Sequence, residues 1–264
     1  MATSYIQIGY GQLGLASLLM LVNFGFSIFL RLGLTRSLLI ASARMVVQLS
    51  LIGFILQWLF GQENPIIIVA IALGMTVIAG VSAVGRTKRK FAGMYWNSIL
   101  SILVAAALVS QVAIHGIIRV NPWYDPQYFI PIIGMVLGNI LNGISLGLDR
   151  FLEGLVTQRD QVEMLLAHGA TRWEACHRQL RDAVRTGMIP ITNSMMVMGL
   201  VSLPGMMTGQ ILAGANPIDA VRYQIMIVFM IASATALGTL FVILLAFQKL
   251  MSPDHRLELR SLEL

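Results

Sequence analysis

The sequence predicts an all-α, polytopic helical membrane protein, and three observations carry that prediction. The chain of 264 residues is 57% hydrophobic and 11% charged, with a mean hydropathy of +0.79, whereas a soluble domain carries about 25% charged residues. Several apolar stretches reach the roughly 20 residues needed to cross about 30 Å of hydrocarbon as helix. The basic residues, finally, gather in alternate connections between those stretches. The net charge of +6 is therefore a topology signal, and nucleic-acid binding is excluded as its explanation. A single cysteine, Cys176, allows no internal disulfide and no metal-ligand spacing. The start of the chain lacks a basic n-region and a small-residue cleavage site, so no removable signal peptide is expected.

Seven spans follow, at about Gly9–Leu30, Leu38–Phe60, Pro65–Val84, Met94–Ile118, Ile130–Leu148, Gly187–Met206 and Val221–Phe247. Fifteen Lys and Arg residues fall in one set of connections. They include Arg31, Arg86, Lys88, Arg89, Lys90, Arg256 and Arg260. The opposite set holds only Arg119 and Arg222. The positive-inside rule then places the N-terminus outside and the C-terminus in the cytoplasm. Arg44, with Gln48, lies within the second span, yet only six residues from its cytoplasmic start, near enough to snorkel or to bond a neighbouring helix. His115 and Gln111 sit near the outer end of the fourth span, before an aromatic pair, Trp123 and Tyr124, suited to an interfacial belt.

The fifth and sixth spans are unusual. At 100° per residue, Gly134, Gly138, Asn142 and Ser145 share one face of the fifth, and Asn139, Gly143 and Gly147 another. Gly-x-x-x-Gly steps on both faces let neighbouring backbones approach closely in lipid, which argues for a central helix. In the sixth, Pro190 removes a helical hydrogen bond, and Pro204-Gly205 predicts a break or gate at the outer end. The segment Thr208–Ala215 then dips back or lies at the interface, and Asn216-Pro217-Ile-Asp219 reads as a helix start. Asn139, Asn142, Ser145, Asn193 and Ser194 are the candidate pathway-lining residues by polarity and facing. The 16 methionines, among them Met195, Met198, Met207 and Met226, admit two readings, adaptable packing or a soft Cu(I) site. With no His or Cys beside them, packing is favoured.

The connection at about residues 149–187 is long enough to form a cytoplasmic element of its own. Its first part is amphipathic, through Leu152, Leu155, Val156, Val162, Leu165 and Leu166. Gly169 offers a cheap left-handed C-cap, and Thr171-x-x-Glu174 forms a capping box that starts a second helix. Trp173, Cys176, Leu180, Ala183 and Val184 give that helix its apolar face. A rigid, capped, projecting helix can transmit force to a cytoplasmic motor, whereas a floppy loop would absorb the motion. A surface hairpin that merely stabilises the bundle has the same sequence signature. A DNA-reading helix-turn-helix has similar spacing, but the tether between two spans argues against it.

Glu163-x5-Gly169-Ala-Thr171 resembles the acidic-Ala-Ala…Gly coupling signature of ABC-transporter permeases, with Met164 and Leu165 where the alanines usually stand. Gly134-Met-Val-Leu-Gly-Asn, Leu200-Val-Ser-Leu-Pro-Gly-Met-Met-Thr-Gly209, Tyr223-Gln-Ile-Met226 and Arg44-Met-Val-Val-Gln-Leu-Ser-Leu-Ile-Gly-Phe closely resemble the FetB-type ABC permease family. These are bacterial iron exporters with plant relatives in aluminium tolerance. The resemblance covers about residues 38–250. It implies a single permease domain over residues 1–264, in the bacterial inner membrane, that exports iron or a related metal as a homodimer with a separate cytoplasmic ATPase. Glu163, Gly169, Ala170, Thr171 and Arg172 would meet that ATPase. ATP and Mg would bind the partner, and this chain, which has no Gly-x4-Gly-Lys-Ser/Thr phosphate loop, would hold no cofactor and hydrolyse nothing itself. Iron prefers oxygen and nitrogen ligands, yet the central spans carry no Asp, Glu or His, and no metal ligand is assigned. Two alternatives stay open. One is an ABC permease for a nucleotide sugar or small organic solute, since plant relatives are linked with sugar nucleotides. The other is a secondary transporter or channel that needs no ATPase.

Overall fold

The computed structural model describes residues 8–258 and 262–263. Nine α-helices make up almost all of it: α1 (Tyr10–Phe29), α2 (Thr35–Leu59), α3 (Pro65–Gly85), α4 (Met94–Gln111), α5 (Pro126–Thr157), α6 (Arg159–Ala167), α7 (Arg172–Val197), α8 (Gly205–Leu212) and α9 (Pro217–Leu250). A π-helical turn, Val112–Ile118, extends α4. Two short strands, β1 (Lys90–Phe91) and β2 (Leu262–Glu263), pair antiparallel. Arg260, counted above for the topology, lies outside the described residues. The protein is all-α and polytopic: among the described residues six helices, α1 to α5 (α4 with its π-helical turn) and α9, are long and apolar enough to cross a membrane.

Two compact units are present. The first comprises the chain up to Gln62 with Gln210–Ala215. In it, α1 and α2 are joined by a short turn. Ser27 Oγ accepts from the Leu34 backbone N–H (3.1 Å) and from the Thr35 hydroxyl (2.8 Å), and Gly33 takes φ +70. Arg44 and Gln48 are exposed on α2.

The second unit comprises Glu63–Gly209 with the chain from Asn216 onward, and it is built around α5. Residues of α5 facing α7 and α9 are apolar or small: Ile140, Gly143, Ile144, Gly147 and Leu148 are buried. The helices nearly touch there. A Cβ added at Gly143 would lie 2.6 Å from Thr235 Cγ2 and 2.7 Å from Thr239 Oγ1, and one at Gly187 would lie 2.6 Å from the Gly143 carbonyl oxygen. Only one of the two predicted small-residue faces is used this way. Gly138 has no atom within 4 Å of where its Cβ would stand. Three helices of this unit start alike. Asn64, Asp125 and Asn216 each accept a hydrogen bond from the backbone N–H two residues on (2.9 Å), and each precedes a proline at the first helical position.

Two predicted elements are corrected. The amphipathic stretch from Leu152 to Leu166 is two helices, because α5 continues nine residues past its predicted end at Leu148 and breaks at Gln158. The predicted sixth span, Gly187–Met206, is likewise divided. Helix α7 runs unbroken from Arg172 through Pro190 and stops at Val197. Met198 is extended and Gly199 takes φ +85 before a turn leads to α8. The break thus begins six residues ahead of Pro204, where a left-handed glycine ends the helix more cheaply than proline would kink it.

Candidate functional site

The α6–α7 turn is held by hydrogen bonds on both of its sides. At the end of α6 the Ala170 N–H bonds to the Leu165 carbonyl and the Gly169 N–H to the Leu166 carbonyl, both at 3.0 Å. Gly169 stands at φ +90. That is a Schellman closure, in which glycine avoids the Cβ penalty of the left-handed region. Two residues on, the Thr171 hydroxyl accepts from the Glu174 N–H (3.3 Å). Glu174 Oε2 accepts in return from the Thr171 N–H (2.8 Å) and hydroxyl (2.7 Å). The Thr171 hydroxyl and N–H together hold the Glu174 carboxyl below its ordinary pKa. The turn between α6 and α7 is therefore closed on both sides, as Gly169 and Thr171-x-x-Glu174 predicted.

Of the five residues assigned to a motor contact, Gly169, Ala170 and Thr171 form this turn, while Glu163 lies within α6 and Arg172 opens α7. Glu163 is half-exposed and paired with Arg159 (2.8 Å), and the same contact raises the Arg159 pKa. Ala170 is half-buried. Arg172 is committed inward: its Nη1 donates to the Met251 carbonyl (3.2 Å), its guanidinium lies 5.7 Å from the Phe247 ring centroid, and its N–H donates to His255 Nδ1 (2.9 Å). Gly169 and Thr171 remain exposed at the tip. The predicted apolar face of α7 is half right. Cys176, Leu180 and Ala183 are buried, and burial pushes the Cys176 thiol up to about 11. Trp173 stays 47% exposed, stacked edge-on against Phe247. Gln179, unremarked in the sequence, is buried in that face and bonds Gln158 at 2.8 Å, bridging the break between α5 and α6.

The five lining candidates differ in burial and in partners. Ser145 is buried, while Asn142 is exposed although both were placed on one helical face. Asn139 is half-buried and spends its amide on the Met135 carbonyl of its own helix (2.9 Å). Asn193 and Ser194 are exposed on the last turns of α7. Pro204 and Gly205 lead into α8, where the Pro204 carbonyl accepts the Thr208 N–H (3.0 Å). Asn142 has a partner that sequence reasoning missed: its Oδ1 accepts from Arg86 Nη1 at 2.8 Å. The available signal was only that Arg86 closes the third span. Nearby, Asp149 Oδ1 accepts from the Lys88 N–H (3.0 Å), so the α3–α4 connection is tied to α5 twice.

Comparison with known proteins agrees with this architecture. The family model described as "Uncharacterised protein family (UPF0014)" matches residues 10–251. The UPF0014 membrane protein slr1647 of Synechocystis is 36% identical over 86% of this chain and 87% of its own. A probable iron export permease protein, FetB of Escherichia coli, is 31% identical over 96% of both chains. Protein ALUMINUM SENSITIVE 3 of Arabidopsis thaliana is 32% identical over 86% of this chain and 82% of its own. No solved structure matches. With a bundle of apolar spans, a family match that runs almost end to end and relatives that are membrane proteins, the chain is a multi-pass membrane protein belonging to the UPF0014 family.

Proposed function

We propose that this chain is the membrane-spanning permease of an ATP-driven ABC transporter that exports iron or a related metal. The observation that carries the reading is the α6–α7 turn. A helix end closed by a Schellman motif meets a helix start closed by a capping box, which makes a stiff knuckle at the tip of the longest connection. Stiffness is what a force-transmitting contact with a separate ATPase requires. The E. coli relative's name supplies the cargo. On this reading two copies pair with two ATPase subunits in a bacterial inner membrane. ATP and Mg bind the partner, this chain is not itself an enzyme, and Gly169, Ala170 and Thr171 meet the motor with Glu163 and Arg172 bracing them. The N-terminus lies outside and the C-terminus in the cytoplasm. Residues 187–206, split in the middle, form a seventh, broken crossing, whose gate is the turn from Met198 to Gly205.

One observation favours a second cargo. The Arg86 guanidinium already occupies the Asn142 amide oxygen, so a bare cation passing there would meet positive charge. An anionic organic solute or a metal chelate would not.

The test is total cellular metal, measured by elemental mass spectrometry under iron load. It compares cells lacking the chain, cells carrying it, and cells carrying Gly169→Val. Valine at φ +90 costs about 1–2 kcal/mol of local strain and loosens the closure. Iron accumulating in the first and third strains but not the second supports coupled export. Unchanged metal in all three moves the reading to the organic solute. Full export by Gly169→Val in a normally assembled complex removes the coupling role.

A further inference from the structure

Two groups of methionines in the second unit have different surroundings. Met135, Met188, Met206 and Met226 pack against a core of Ile191, Ile227 and Ile231. Met195, Met198 and Met207 do not. They come from the end of α7, the turn after it and the start of α8, and all three line one pocket of about 520 Å³ against α9. The pocket therefore sits on the helix break itself, where irregular backbone inside a membrane protein characteristically faces a cavity or a ligand. Its remaining wall is apolar, Phe229 and Pro204 included, with one exception, Gln224. Gln224 is only 8% exposed, and its Oε1 is buried with no hydrogen-bond partner. A buried amide oxygen left unpaired is costly unless something else satisfies it.

We propose that this pocket binds a soft monovalent metal ion, Cu(I), through the thioethers of Met195, Met198 and Met207, with the Gln224 amide oxygen as a weak fourth donor. The donor set selects the ion: thioether sulfur prefers Cu(I), whereas Fe(II), Mg and Mn need several oxygens or nitrogens, and the wall offers one oxygen. Methionine has three rotatable bonds, so the sulfurs can swing from an open pocket onto an ion and return. The break at Gly199 lies between Met195 and Met198 on one side and Met207 of α8 on the other, so ion binding and the geometry of the break are mechanically linked. This proposal is independent of the ATP-driven reading and stands or falls without an ATPase.

Ag(I), a redox-inert analogue with the same preference for sulfur, is the probe. Purified protein in detergent is dialysed against Ag(I), and bound silver is counted by elemental mass spectrometry. The proposal expects a single silver per chain, retained in Cys176→Ala and in the core-packing triple Met188→Leu/Met206→Leu/Met226→Leu. It expects that silver to be lost in Met195→Leu/Met198→Leu/Met207→Leu and weakened in Gln224→Leu. Equal binding by the two triples, loss in Cys176→Ala, or no silver on the wild type overturns it. A measurement on unmutated protein guards against a pocket triple that fails to fold. Bound Ag(I) should slow peroxide oxidation of Met195, Met198 and Met207, read by peptide mass spectrometry, while Met196, 65% exposed and outside the pocket, is oxidised as before. Uniform protection, or none, overturns the proposal equally.

Discussion

The Thr171 hydroxyl is one atom group on which the start of α7 depends, and its removal has a definite expected cost. Thr171→Ala should destabilise the helix start by about 1 kcal/mol, seen as faster amide exchange over residues 172–176 and little change elsewhere. Its partner adds a pH dependence. Because hydrogen bonds from Thr171 hold the Glu174 carboxyl below its ordinary value, the stabilisation is present above the ordinary carboxylate pKa of about 4.3. It is lost as pH falls through the lower folded value. Exchange at the helix start, corrected for intrinsic rates, should be flat from neutral pH to about 5 and rise in more acidic solution. Both residues were legible in the sequence because a capping box is local: residue types at fixed spacing suffice. Arg172 was not. Its three partners lie about 80 positions away at the end of α9 and beyond, and no local pattern announces them.

Among the elements, α5 shows how a helix in lipid chooses its neighbours. Gly143→Val should drive its new methyls into Thr235 and Thr239 and lower thermal stability by about 1–3 kcal/mol or more. Gly138→Ala, with open space around it, should be nearly silent. The measurement is thermal unfolding in detergent for both variants. The Gly-x-x-x-Gly steps predicted close approach correctly, but periodicity cannot say which of two equivalent faces is taken; that is decided by where Gly187 and Thr239 lie on other helices. The same limit explains α7. Apolar composition continues from Gly187 to Met206, so a composition window reads one span, while the helix stops at Val197, just before a left-handed glycine inside it. The Asn216-Pro217 start was recognised, yet Asn64-Pro65 and Asp125-Pro126 carry the same signal.

At the scale of the whole molecule, the basic bias predicts sidedness, and cysteine labelling can check it. Cys176 is fully buried, and burial pushes its thiol up to about 11, so it should stay unreactive toward membrane-impermeant thiol reagents near neutral pH. Every introduced cysteine then reports alone. One at Gln62 or Asn121 should label from outside intact cells, and one at Lys88 or His168 only after the membrane is opened. The reverse pattern would invert the topology.

The pairing of Leu262–Glu263 with Lys90–Phe91, together with the Arg172 N–H held by His255, has a practical meaning for anyone handling this protein. Two points after α9, His255 and β2, are tied back to the second unit. A truncation at Leu250 would remove the partner strand of β1 together with the Met251 and His255 partners of Arg172, and a purification tag fused directly after Leu264 would load the β1–β2 pair. Loss of activity in such a fusion would then be an artefact of engineering, and tags belong behind a long linker.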